Sequence, residues 1–193
     1  MKAITAFDAA DFRKWLKENH ETESKVSVVV HKKHTGKPFP SHRELLNEAI
    51  CFGWIDTVIK RLDEEKYIRT FSKRNKNSKW SDNTLRYARE MIEQKKMTST
   101  GLKFYKEGLN KPTHDFGIPK NPSQPVELKI ALSKNRKAKE NFEKFSPSAK
   151  KTIYRWILRG KREETRAKRI KIIVEGAKNG RNEVFGAQQK ANA

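Results

Sequence analysis

The side chains best suited to chemistry gather between Lys33 and Ser81 of a 193-residue chain. The sole cysteine, Cys51, stands in the apolar string Ala49-Ile50-Cys51-Phe52-Gly53-Trp54-Ile55-Asp56-Thr57. As a nucleophile it needs a histidine and a basic field to lower its pKa, and His34 is the candidate partner. The same cysteine falls on an apolar helix stripe, where it would pack as a small hydrophobe. Asp56 is expected on the strand face that carries Trp54. If that face is covered, its carboxylate must be paired, with Lys33, Arg61 and Arg74 as possible partners. It would then serve either as a structural ion pair or as a catalytic acid. The loop 72–81 carries Lys73, Arg74, Lys76, Lys79 and Trp80. That set could grip phosphate and stack a base or a sugar. Alternatively the loop is solvated and Trp80 folds onto the core as the anchor of the next helix.

The histidines are His20, His31, His34, His42 and His114. His31 and His34, three apart on a strand, would face opposite ways. There is no Cys-x-x-Cys, no His-Glu-x-x-His and no Gly-rich phosphate cradle, so neither a metal nor a cofactor is expected.

The elements that must position these residues are legible from periodicity. Phe12, Trp15 and Leu16 stripe a helix over 8–19 with Asp8 as N-cap. Residues 25–33 are β-branched and read as a strand, followed by a turn at 34–38. Ser41 and Glu44 form a capping box for a helix from 42 to about 52, stopped by Gly53. Two strands, 54–62 and 66–72, flank the polar turn 63–65. Ser81 and Asp82 open a helix striped by Leu85, Ala88, Met91 and Ile92, and Thr98 or Ser99 caps another ending near 108. Pro112, Pro119, Pro122 and Pro125 with Gly117 make residues 110–125 a linker. Beyond it four helices follow: one from Pro125 through Leu132, one striped by Ala138, Phe142 and Phe145, one opened by Ser146-Pro147, and one over 163–178. The fold expected is α+β: a small antiparallel sheet with covering helices over 1–109, then a basic all-helical region over 126–180, then a disordered tail over 181–193.

The formal net charge is +21, and residues 133–182 hold 17 Lys and Arg against 5 Glu. Such a surface draws acidic macromolecules, protein or nucleic acid. Lys73, Arg74, Lys76, Lys79, Arg155, Arg159, Arg166, Lys168 and Arg169 are the candidate anion or nucleic-acid contacts. The lone cysteine excludes an intramolecular disulfide framework. No apolar run suits a signal peptide or a membrane span, so a cytoplasmic protein is expected.

Several strings resemble the YdeI/OmpD-associated bacteriocin-protection family. They are Lys32-Lys33-His34-Thr35-Gly36-Lys37-Pro38, Cys51-Phe52-Gly53-Trp54-Ile55-Asp56, Lys60-Arg61-Leu62-Asp63 and the loop from Arg74 to Lys79-Trp80-Ser81. In the C-terminal region they are Tyr154-Arg155-Trp156-Ile157 and Glu164-Thr165-Arg166-Ala167-Lys168-Arg169-Ile170. The resemblance implies a role in resistance to bacteriocins or antimicrobial peptides, or in stress, and brings no catalytic residue set. At +21 the chain would repel cationic peptides, so the resembled role implies an acidic partner. Two alternatives stand beside it. One is a nucleic-acid-binding protein using the basic C-terminal helices and the 73–80 loop. The other is an enzyme or small-ligand binder with a pocket of Lys33, His34, Cys51, Trp54, Asp56, Arg61, Arg74 and Trp80.

Overall fold

The computed structural model describes residues 3–182 and 184, which fall into two compact units, 1–114 and 115–193. The first is built as β1 (Ala3–Thr5), α1 (Ala9–Asn19), β2 (Lys25–His31), α2 (His42–Cys51), β3 (Trp54–Arg61), β4 (Lys66–Lys73), α3 (Asp82–Glu93) and α4 (Ser99–Leu109). Its four strands lie in the order β1-β2-β4-β3. The β2–β4 and β3–β4 pairs are antiparallel as expected, but β1 runs parallel to β2, so the sheet is mixed. Three residues are too few to show alternation, and a parallel neighbour requires a crossover, supplied here by α1.

One face of the sheet is covered by helices because β2 turns Val26, Val28 and Val30 toward Phe12 and Leu16 of α1 and Leu45 and Ala49 of α2. Trp54 of β3 and Phe71 of β4 complete that core. The opposite side of α2, through Leu46 and Ile50, packs with Trp80, Ala88 of α3 and Tyr105 of α4. Helix α2 is therefore buried on two sides, consistent with the apolar Leu45, Leu46, Ala49, Ile50 and Cys51 falling on more than one stripe. It starts at Ser41, whose hydroxyl accepts from the Glu44 N–H while the Glu44 carboxylate accepts from the Ser41 N–H. It stops at Gly53, whose φ of +75° is closed to residues with a Cβ at low cost. Strand β2 ends two residues earlier than its apolar run suggests. Lys33–Thr35 wind into a 3-10 turn closed by Gly36, and the Lys32 N–H pairs with the Glu65 carbonyl.

The second unit contains α5 (Val126–Ser133), α6 (Arg136–Glu143), α7 (Pro147–Leu158) and α8 (Glu163–Lys178). Asn135 and Ser146 cap α6 and α7 through their side chains, and Pro147 occupies the first turn where a missing N–H is harmless. Leu128, Leu132, Phe142, Ile153, Trp156, Ile157, Ile170 and Ile173 form its core. Ala167 of α8 is exposed, although it lies one turn before the buried Ile170. The tail expected from 181 onward lies mostly outside the described residues. Within it Val184 is buried against the helical core.

Candidate functional site

Asp56 sits on β3 opposite Phe71 of β4. The ladder is irregular between Asp56 and Val58, where Thr57 is an extra residue. Because side chains alternate, that one-residue bulge decides which face Trp54 and Asp56 share with β4. It puts them on the Phe71 side. There Arg69 Nη1 donates to Asp56 Oδ2 at 2.9 Å, and His42 Nε2, from the first turn of α2, lies 3.0 Å from the same oxygen. Burial pushes the Asp56 carboxyl up, but the hydrogen bond and charge of His42 and the charge of Arg69 outweigh it and hold it below the usual aspartate range. The partners differ from those expected. Lys33 and Arg61 are exposed, Arg61 pairs with Glu64, and Arg74 reaches Asp56 only through longer-range charge. The arrangement is a half-buried ion pair with a histidine at its mouth.

Arg74 is the unusual residue. It follows β4, its N–H donates to the Gly53 carbonyl at 2.9 Å, and it is 2% exposed. Its guanidinium carbon lies 3.7 Å from the centroid of the Trp80 ring, and Nη1 donates to the Lys79 carbonyl at 3.2 Å. Nε and Nη2 have no hydrogen-bond partner among the described residues. Burial pulls its pKa down to about 10. The recess it lines is shared with Asn75, Ser78, Trp80, Phe104, Glu107 and Lys111 and is too narrow to admit a water molecule. Trp80 is itself buried and meets Tyr105 edge-on, with ring centroids 6.1 Å apart. It is thus the core anchor of the two readings, not a platform open to a base. Gly108 makes this possible, since a Cβ there would come within 2.3 Å of Trp80 Nε1.

Cys51 is fully buried at the end of α2. Burial, with the nearby Glu48 carboxylate, pushes its thiol up to about 11 against the opposing pull of Arg13, so at neutral pH it is a protonated core side chain. His34 is exposed in the 3-10 turn, and no hydrogen bond joins it to Cys51. The set of eight pocket residues therefore divides: Arg74 and Trp80 meet in one recess, Asp56 pairs on its own, Cys51 and Trp54 are core, and Lys33, His34 and Arg61 stand outside. No group of three or more His, Cys, Asp or Glu side chains able to hold a metal ion occurs among the described residues. Lys73 donates to the Glu21 carbonyl, while Lys76 and Lys79 are exposed.

Three arginines of the helical unit, Arg155, Arg159 and Arg169, are committed inward. Arg155 and Arg159 both grip Asp115, with Arg159 Nε 2.6 Å from Oδ1. Arg155 also donates to the Lys120 carbonyl at 3.0 Å. Arg169 donates to the Trp156 carbonyl and lies over the Trp156 ring. Arg166 is half-buried with Nε unpaired, beside a wider recess of about 540 Å³ between α5 and α8. Of the C-terminal candidates Lys168 alone is fully exposed.

Fold and site define a two-unit α+β protein with a lysine-rich helical half, and among the described residues Cys51 and His34 do not assemble as a nucleophile–base pair. The chain belongs to the family described as Domain of unknown function (DUF8412), whose model matches residues 4–104, just over half of the sequence. The model described as Bacteriocin-protection, YdeI or OmpD-Associated matches residues 122–180. The resemblance read from the sequence is therefore matched in the helical unit, while the Cys51–Asp56 string falls within the other family's span. No curated protein and no solved structure matches the chain. No described helix is long and apolar enough to cross a membrane.

Proposed function

We propose that this is a non-enzymatic bacteriocin- or antimicrobial-peptide-resistance or stress-associated protein that acts in the cytoplasm by binding an acidic protein through its helical unit. The observation that carries this reading is the division of cations there. Residues 133–182 hold 17 Lys and Arg against 5 Glu, and Arg155, Arg159 and Arg169 are bound internally while Lys134, Lys137, Lys144, Lys161, Lys168 and Lys171 are exposed. Lysines are mobile point charges, suited to a diffuse acidic surface; the planar forks of Arg155, Arg159 and Arg169, which suit phosphate, are occupied. The burial of Trp80 removes the aromatic platform that the nucleic-acid alternative called on. The match of residues 122–180 to the bacteriocin-protection model supports the biological setting.

The test is survival under bacteriocin or antimicrobial-peptide challenge of cells lacking the gene, complemented with the wild type or with Lys134→Glu/Lys137→Glu/Lys168→Glu. These exposed positions leave the core untouched, so the triple variant should accumulate normally yet fail to protect. Full protection by the variant would remove the helical unit's charge from the mechanism.

A further inference from the structure

A guanidinium carries two kinds of hydrogen-bonding edge. The side edge, Nε with Nη2, presents two parallel N–H groups spaced to receive the two oxygens of a carboxylate or a phosphoryl group. In Arg74 the other terminal nitrogen, Nη1, is used by the Lys79 carbonyl, and the side edge is the part left without a partner. A buried guanidinium with two unpaired nitrogens is costly, and native interiors rarely tolerate it without a purpose. The surroundings fix its orientation: one face lies on Trp80, which is clamped by Tyr105 and by Gly108.

We propose that the Nε–Nη2 edge of Arg74 anchors an oxyanion site that takes the terminal phosphoryl group of a small ligand, in preference to a carboxylate. The preference for phosphoryl follows from local charge. Lys111 lines the same recess and holds the Lys76 carbonyl at 2.9 Å, and Lys76 and Lys79 are exposed on the loop, against one carboxylate in the recess, Glu107, and the charge of Asp56 at longer range. A dianion gains more from that surplus than a monoanion does. The recess is closed to water as it stands, so entry requires the turn at 75–78 to move. That turn is held by its own bonds, Asn75 N–H to Ser78 Oγ at 3.0 Å and Asn77 N–H to Asn75 Oδ1 at 2.9 Å, so among the described residues its displacement would have to release only the Lys111 bond to the Lys76 carbonyl. The site belongs to the sheet-bearing unit and is independent of the exposed lysines invoked above for the acidic protein.

Isothermal titration of the full-length protein with inorganic phosphate, and separately with acetate, tests this at fixed ionic strength. Saturable binding of one phosphate, tighter than acetate, is expected. Arg74→Lys keeps the charge but loses the fork and should weaken phosphate about tenfold or more, whereas Lys76→Ala/Lys79→Ala should change it only about two- to threefold. Glu107→Gln removes the competing carboxylate and should tighten binding. Circular dichroism melts on each variant separate a lost site from a lost fold. The proposal is overturned if phosphate does not saturate, if acetate binds the tighter, or if folded Arg74→Lys binds phosphate like the wild type. It is equally overturned if Glu107→Gln lowers the melting temperature with no gain in binding, since Arg74 would then have its partner in Glu107.

Discussion

Truncating Asp56 to alanine isolates the ion pair that joins β3, β4 and α2. The substitution removes the acceptor of both Arg69 Nη1 and His42 Nε2, and leaves Arg69 with Nη1 as well as Nε unpaired. Hydrogen bonds to charged groups contribute roughly 1.5–3 kcal/mol, and breaking a fully buried pair costs roughly 3–5 kcal/mol. Here the side chains keep 25% and 13% exposure, so water recovers part of the loss. A destabilisation of about 2–3 kcal/mol is expected at neutral pH. At roughly 2–4 °C per kcal/mol for a chain of this size, the melting temperature should fall by about 4–12 °C. The pH dependence carries a sign. Because the folded-state pKa of Asp56 is lowered, its contribution is complete above the unfolded value of about 3.9 and is lost as pH falls through the folded value. Thermal melts followed by circular dichroism at pH 7 and in steps below pH 4 should therefore show the gap between wild type and Asp56→Ala closing on acidification. A neutral-pH gap under about 1 kcal/mol, or one that widens in acid, would refute this account of the pair.

Three further outcomes are expected. Native Cys51 should resist iodoacetamide at pH 8, because its thiol is buried and pushed up to about 11, and should react fully once denatured; alkylation followed by mass spectrometry reads the difference. Gly108→Ala drives a methyl group into the buried Trp80 ring and should cost roughly 1–3 kcal/mol, measured by urea denaturation, with a change in tryptophan emission. Asp115→Ala releases Arg155 and Arg159 together and should destabilise the helical unit by roughly 2–4 kcal/mol, visible as an earlier loss of helical signal.

Local signals carried much of this structure. The Ser41–Glu44 capping box, the stop at Gly53 and the stripe of Ile153, Trp156 and Ile157 depend on residues within one or two turns of each other, and they fold as their spacing requires. What spacing could not reveal is what the sheet and the helix crossings bring together. His42 reads only as the first residue of a helix, yet it closes on Asp56 from 14 residues away because α2 returns antiparallel into β3. Arg69 was hidden by the Thr57 bulge, which shifts the pairing by one residue and cannot be counted from a polar turn at 63–65. Arg74 shows the same limit. Its basic neighbours suggest a solvated loop, and only the packing of Trp80 against α4 draws it inside while Lys76 and Lys79 remain in water. In the helical unit the arginines most easily taken for contacts are those that Asp115 and the Trp156 carbonyl had already claimed.

The central claim, an acidic protein partner held by the lysines of the helical unit, is tested most directly by fluorescence anisotropy. Labelled poly-glutamate, single-stranded DNA and double-stranded DNA are titrated with the full-length protein from low to physiological salt. The account expects binding to the acidic polypeptide that weakens with salt, persists near 0.15 M, and is lost in Lys134→Glu/Lys137→Glu/Lys168→Glu, with nucleic acid released sooner. Nucleic acid held at physiological salt while poly-glutamate is not would contradict it and promote the nucleic-acid alternative.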